Sequence, residues 1–407
     1  MGNITKHRFE AGNRDEWLAL RNSMTDKVGG STIGAIVGHS KYSSFLKELE
    51  IAVGLRKPDD LSKNEAVRQG HDLEYYVADR FAETSGKKVH NENCIFTNDA
   101  RPHLKASIDR KIANEASGLE CKTVNELVMQ KFKHGDFPIG YYDQCCVYLA
   151  VTELDRWYLS MIVWGRAQRN FLMTRIKAEA DRFAELRAKF GFGTIDESDA
   201  DFAEWNEKWS WLEAVYFIDD GELDACEERA AHFIDKVQQV NEIMKDRTFD
   251  TDNDRVAFLQ NAIYQVVDPA DIDGSEATAD ALDELSAPVK DLEVALDPNG
   301  EECRNVIELL DERKRIKEQM DGIEERIDWI ENHIALMMRD AEKFIVPGWN
   351  ITYKFGTARR TASVKNVEAY FAAKGMEVPD GIITVSAASR TIRISEKVAK
   401  TKKAKVA

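Results

Sequence analysis

The stretch ASIDRKIANEASGLECK, residues 106–122, decides how the rest of the chain is read. Leu104, Ala106 and Ile108 alternate with Lys105, Ser107 and Asp109, the run 114–118 interrupts the pattern, and Leu119, Glu120, Cys121 and Lys122 resume it. That alternation predicts two short strands joined by a turn. A period of two places Glu120 and Lys122 on one face of the second strand and turns Cys121 to the other. Asp109 ends the first strand. Asp109 and Glu120 offer hard oxygen ligands of the kind a hydrated divalent cation such as magnesium takes. Lys122 beside them could orient or deprotonate an attacking water. A surface hairpin carrying a Glu–Lys ion pair has the same spacing, so the neighbours must decide.

A chain of 407 residues exceeds one compact core and predicts two or three domains. Its hydrophobic content of 43% is that of a soluble globular protein. There is no apolar run of the ~18 residues a membrane span needs, and no apolar leader, so a cytoplasmic protein without a membrane partner is expected. The cysteines at 94, 121, 145, 146, 226 and 303 form no CxxC pair, which predicts reduced thiols and disfavours an iron–sulfur nuclease. The net charge of -16 is regional: residues 1–180 carry 26 Lys and Arg against 24 Asp and Glu, whereas 30 against 48 lie beyond. A near-neutral first half can still hold a basic groove for nucleic acid, because the local field does the binding.

In chain order, residues 8–27 predict a helix carrying Trp17, Leu18, Leu20 and Met24, with Asn13 as cap. Gly29, Gly30 and Ser31 then precede a small apolar helical run, GGSTIGAIVG. Free backbone amides and a hydroxyl there make an anion site that Arg21 could close, though a plain loop and helix cap reads equally well. Residues 64–85 predict a helix with Val67, Leu73, Val77 and Phe81 on one stripe and Glu74 beside it. Three strand-like segments fill 92–123. A short polar helix or loop at 124–134 carries Lys131 and Lys133. A helix at 139–152 presents Tyr141, Gln144, Cys145 and Tyr148, before a strand at 155–164 and a long helix from about 167 to 189. The order predicts an α/β core with a mixed sheet.

GGSTIGAIVG, RQGHDLE, ASIDR, LECK and YYDQCCVYLAVTE, in that order over roughly residues 10–180, resemble the lambda exonuclease family, specifically the YqaJ-type viral recombinase nucleases of the PD-(D/E)xK fold. The resemblance implies a restriction-endonuclease-like core with a mixed sheet flanked by helices. It implies that Asp109, Glu120 and the backbone carbonyl of Cys121 bind a catalytic Mg2+, for which Mn2+ can substitute, and that Lys122 positions and helps deprotonate water. Glu74 matches a helix acid that reaches a metal, and Gln144 the glutamine that orients the site. Ser31, Arg21 and Ser107 match positions that hold a DNA 5'-phosphate. Two departures stand out. No Arg follows the ExK closely, leaving Lys131 or Lys133, and the looser Arg21 to Ser31 spacing leaves Arg14 or Lys27 as substitutes.

Residues 191–300 hold about thirty acids and under ten bases, with an aromatic knot of Trp205, Trp209, Trp211 and Tyr216 and a linker-like stretch at 268–280. Such a lobe could shield the groove, mimic DNA or bind a basic partner, or be a solvated helical insertion. From Val306 to Met337 apolar residues recur at steps of three and four, broken by Arg313, which predicts a coiled-coil helix. It either mediates oligomerisation or folds back on a helix near 222–247, the latter being favoured. The expected divisions are a nuclease core at 1–190, the acidic region at 191–300, the coiled-coil helix at 301–345, a small α/β module at 346–395 and a basic tail at 396–407. The tail carries Lys397, Lys400, Lys402, Lys403 and Lys405 and could touch DNA.

The expected function is a magnesium-dependent 5'-to-3' exodeoxyribonuclease of phage or prophage origin. It would degrade one strand of linear duplex ends and leave 3' single strands for a strand-annealing protein, in the cytoplasm of a bacterial host. A structure-specific endonuclease or nickase on the same core, and a non-catalytic recombination scaffold that binds the annealing protein, are the alternatives.

Overall fold

Two short segments, β1 (Ile4–Arg8) and α1 (Arg14–Ser23), replace the single helix expected over 8–27; Asn13 caps α1, its side chain accepting from the Glu16 amide. The computed structural model describes residues 2–129, 138–164, 168–286, 294–338, 343–346, 349–352, 371 and 374. The chain divides into two compact units, Met1–Ala287 and Pro288–Ala407.

The first unit continues through β2 (Val28–Gly29), α2 (Gly30–Ile36), α3 (Phe45–Ala52) and α4 (Glu65–Ser85). Five strands follow: β3 (Val89–His90), β4 (Cys94–Asn98), β5 (Arg101–Ser107), β6 (Arg110–Ile112) and β7 (Ser117–Val124). Then come α5 (Glu126–Met129), α6 (Ile139–Thr152), β8 (Arg156–Val163), β9 (Arg169–Thr174), α7 (Lys177–Phe190), α8 (Phe202–Lys208) and β10 (Ala214–Phe217). Three helices, α9 (Asp220–Met244), α10 (Asp252–Val266) and α11 (Glu276–Leu285), complete it, with a 3-10 turn at Pro269–Asp271. The architecture is α/β: a four-stranded sheet in the order β1-β4-β5-β2 and a six-stranded sheet in the order β10-β9-β8-β7-β6-β3, both of mixed direction and flanked by helices.

The two sheets revise the reading of residues 104–122. β5 pairs with β4 and β2 in the first sheet, while β6 and β7 form the hairpin in the second, with Arg110 opposite Leu119. Asp109 stands where the chain leaves one sheet for the other. The alternation of β7 does hold: Leu119 and Cys121 enter a core with Phe81 of α4 and Phe183 of α7, so Glu120 and Lys122 project the opposite way. On that side lies α6, buried from Asp143 to Thr152. A helix apolar all round needs cover on every side. α6 has it from α2, α9, β4, β5 and β8.

Residues 169–174, expected to begin a long helix, are instead β9, antiparallel to β8 and parallel to β10. The run NFLMT is buried throughout, and pairing with β8 satisfies its backbone where a helix edge would not. The expected aromatic knot divides: Trp205 and Trp209 pack on Phe183, with centroids 6.3 and 4.9 Å away, and Trp211 on Phe81 and Tyr158, whereas Tyr216 packs on Phe171 in the other core. The expected division at 190/191 crosses continuous packing, because Leu223, Phe233 and Val237 of α9 share a core with Leu149 and Phe171. Nor is 268–280 a linker, since it carries the 3-10 turn with buried Asp271 and the start of α11.

In the second unit, α12 (Glu301–Met338) is a 38-residue helix, followed by the hairpin of β11 (Lys343–Val346) and β12 (Trp349–Thr352). The residues of its apolar seam are largely exposed, with Leu309 66% and Ile323 60% exposed. Most of the small α/β module expected at 346–395 and the basic tail lie outside the described residues. Among the described residues no helix is long and apolar enough to cross a membrane.

Candidate active site

Charges gather in one cavity of about 480 Å³, bounded by α1, the first turn of α2, the N-terminal half of α4, the β5–β6 junction, β7 and α6. β7 supplies Glu120, which is 1% exposed, and Lys122. The Lys122 ammonium donates to Glu120 Oε1, and the same oxygen accepts from Gln144 Nε2 of α6 at 2.8 Å. Gln144 also donates to the Tyr148 hydroxyl one turn further on. Lys122 Nζ lies 5.2 Å from the centre of the Tyr141 ring. Gly30 lets α2 come this close to α6: a Cβ there would stand 2.8 Å from Tyr148 Cε1 and 3.1 Å from Gln144 Cγ.

The β5–β6 junction brings Asp109 across, where its Oδ2 accepts from the Cys121 amide at 2.8 Å. Burial, then the carboxylates of Glu120 and Glu74, push the Asp109 carboxyl well above its ordinary range. Burial alone would lower Lys122, but Glu120 and Asp109 together outweigh it and hold the ammonium above its usual value. Glu74 on α4 lines the same cavity, with Oε1 accepting from Arg110 Nη1 at 2.6 Å. Arg110 also donates to the Asp109 carbonyl at 2.8 Å, so one guanidinium ties the helix acid to the junction.

Glu120 Oε2 is buried and has no hydrogen-bond partner among the described residues. An unpaired carboxylate oxygen in a dry interior is costly, and a cation relieves it. Asp109, Glu120 and the Cys121 carbonyl on the same strand form an all-oxygen donor set that fits a hard divalent ion, with Glu74 behind Arg110 as a further carboxylate.

The expected anion pocket opens off the same cavity. Arg21 Nη2 donates to Ser31 Oγ at 3.0 Å, and Trp17 Nε1 donates to Ser107 Oγ at 3.0 Å. Arg21 also lies over the Trp17 ring at 5.3 Å. Lys105 Nζ donates to the carbonyls of Arg21 and Met24 at 2.8 and 2.9 Å, capping the end of α1. Burial, then the nearby Arg21 charge, lowers that ammonium to about 8. Of the two expected substitutes for Arg21, Lys27 donates to the Pro102 carbonyl and Arg14 rests near the Trp17 ring. Lys131 and Lys133 lie outside the described residues.

Four participants escape the sequence reading: Arg110, Trp17, Lys105 and Tyr148. Trp17 precedes Arg21 by one helical turn, and Lys105 shares the outward phase of Ser107, so both had a local signal. The contacts of Arg110 with Glu74 and of Tyr148 with Gln144 are set by packing.

Residues 16–155 match the family described as the YqaJ-like viral recombinase domain. A Bacillus subtilis (strain 168) protein described as uncharacterized protein YqaJ is 25% identical over 323 residues, covering 77% of this chain and 90% of the relative. Among solved structures, an alkaline exonuclease from Laribacter hongkongensis has 16% identity and a TM-score of 0.36, covering 56% of this chain and 98% of its own. A phage-related exonuclease from Haemophilus somnus 129PT has 15% identity and a TM-score of 0.30, covering 55% and 99%. The matched segment contains every residue that lines the cavity, and over that segment the chain is similar to the YqaJ-like viral recombinases that its sequence resembles.

Proposed function

We propose that this protein is a Mg2+-dependent 5'-to-3' exodeoxyribonuclease that acts on linear double-stranded DNA ends and leaves 3' single strands for a strand-annealing partner. The observation that carries this reading is the buried, unpartnered Glu120 Oε2 beside Asp109 and Lys122, in one cavity with the Arg21–Ser31 pair.

A phosphodiester repels nucleophiles because it is anionic, so the site must neutralise charge before attack. Asp109, Glu120 and the Cys121 carbonyl would hold the metal ion, which supplies charge neutralisation and an activated nucleophile when bound. Gln144 fixes the Glu120 carboxylate in place, and Lys122 keeps a positive charge at the reacting centre. Glu74, held by Arg110, would add a carboxylate facing the cavity. Arg21, Ser31 and Ser107 would receive a terminal 5'-phosphate, and a fixed end sets direction, because only the strand that begins there reaches the Asp109 and Glu120 side. The setting would be the cytoplasm of a bacterial host, with the enzyme phage or prophage encoded.

The test is digestion of linear duplex bearing either a 5'-phosphate or a 5'-hydroxyl, with Mg2+, by wild type, Glu120→Gln and Lys122→Ala. Loss of both strands' 5' nucleotides by wild type alone, faster from phosphorylated ends, is expected. Equal cutting of closed circular DNA would overturn the exonuclease reading, and an inert wild type would overturn the enzyme.

A further inference from the structure

α12 lies outside the domain that holds the cavity, and the nuclease reading leaves it without a task. Counting from Val306 as a heptad a position, Arg313, Met320, Ile327 and Ile334 are the other a residues, and Leu309, Ile316, Ile323, Ile330 and Met337 the d residues. Nearly all of this line is open to solvent: Val306 is 42% exposed, Ile316 49%, Met320 52%, Ile327 48% and Met337 67%. Single exposed Leu or Ile residues need no explanation, but a seam interrupted only by Arg313 along a helix roughly 57 Å long does.

We propose that α12 forms a parallel, in-register coiled coil with α12 of a second copy of this chain. The flanking charges select that occupant. In this register Glu312 at g meets the partner's Lys317 at e, Arg326 at g meets the partner's Glu331 at e, and the two-fold axis repeats both pairs. The e and g positions bring no like charges together. An antiparallel pairing about the helix centre joins Lys317 to the partner's Glu324 and leaves Arg326 opposite Gln319. Arg313 in the seam limits the coil to two strands, where a long cationic side chain can still reach water past its own helix. Two such helices paired end to end reach the order of a standard interface, roughly 1,600 Å² in total. The proposal does not depend on the nuclease reading.

Light scattering on the full chain at micromolar concentration is expected to give twice the 46.2 kDa mass, and Ile323→Asp with Ile327→Asp to return it to one copy. Because that pair could unfold the helix, charge variants supply an independent arm. Lys317→Glu should weaken association about ten-fold, and adding Glu312→Lys should restore it, since the swap recreates the parallel pairs and no antiparallel one. In a Cys303→Ser background, Val306→Cys should cross-link under mild oxidation, as a–a' contact requires. A wild-type chain of 46.2 kDa at all concentrations would overturn the proposal. So would a dimer indifferent to the Ile variants, a charge swap that fails to restore association, or an α12 that pairs only with a different added protein.

Discussion

Two charged clusters in the first unit are built from the same residue types and differ in what they leave open. Around Asp271, every carboxylate oxygen is taken: Oδ1 accepts from Arg229 Nη1 at 2.9 Å, and His232 Nε2 lies 2.9 and 3.1 Å from Oδ1 and Oδ2. Lys236 donates to Asp268 Oδ2 at 2.6 Å and to the Val266 carbonyl at 2.8 Å. Arg229 reaches on to the Ile36 carbonyl, so this knot fastens α9 to α2 and the 3-10 turn. Around Glu120, by contrast, the hydrogen bonds crowd onto Oε1 and leave Oε2 buried and bare, on a residue that lines a cavity. A closed cluster holds the fold together; an open one awaits something from outside. Glu50 refines the rule. Its Oε1 is also buried and bare, but Glu50 lies outside the cavity that Glu120 lines, and burial, only partly offset by Arg56, raises its carboxyl to about 7. There a proton serves where Glu120 would take a cation.

The largest effect expected is on chemistry at the open cluster. Glu120→Gln should lower DNA cleavage by about 10³-fold while leaving the melting temperature unchanged or raised, since a buried charge is removed. A falling melting temperature with cleavage retained would make this cluster as structural as the other. Asp271→Ala should do the reverse, costing ~3 kcal/mol of stability in urea titrations by stranding Arg229 and His232, with cleavage per folded molecule unchanged.

Glu50 tests the third case through pH. Its folded carboxyl at about 7 lies above the ordinary value of 4.5, so the folded state binds the extra proton between these values. Its contribution is therefore complete below pH 4.5 and lost as pH rises through about 7, to a total on the order of 3 kcal/mol. Urea midpoints measured across that range should fall for wild type and stay flatter for Glu50→Gln. Magnesium alone, without DNA, should raise the wild-type unfolding free energy by about 2.7 kcal/mol at a hundred times its dissociation constant, and Glu120→Gln should abolish the shift. The smallest effect belongs to Ser31→Ala, which should narrow the preference for phosphorylated over hydroxyl ends by about ten-fold with little change on hydroxyl ends.

Much of the cavity was legible because its signals are local. Alternation put Glu120 and Lys122 on one face, and helical phase put Glu74 on the inward side of α4. Gln144 was visible only through the order of motifs, since nothing about a lone glutamine on an apolar helix marks it as a neighbour of Glu120. Arg110 was hidden for the opposite reason: it follows Asp109 as any hairpin base would, and its partner Glu74 is far away in sequence. The helix expected over 167–189 begins only at Lys177, because NFLMT suits either state and the free edge of β8 decided.

The sequence by itself determined the residue types and their phases: the Asp109…Glu120-x-Lys122 set, the apolar α6 and the heptads of α12. Those follow from backbone periodicity, which any chain carries in its order of residues. Only the tertiary structure decided that β5 and β6 belong to different sheets, so that Asp109 at their junction turns toward β7. It also decided that the Arg21–Ser31 pair and the acidic cluster share one cavity. These depend on which distant segments pack together, and packing is settled by the burial of whole faces at once rather than by any local run of residues.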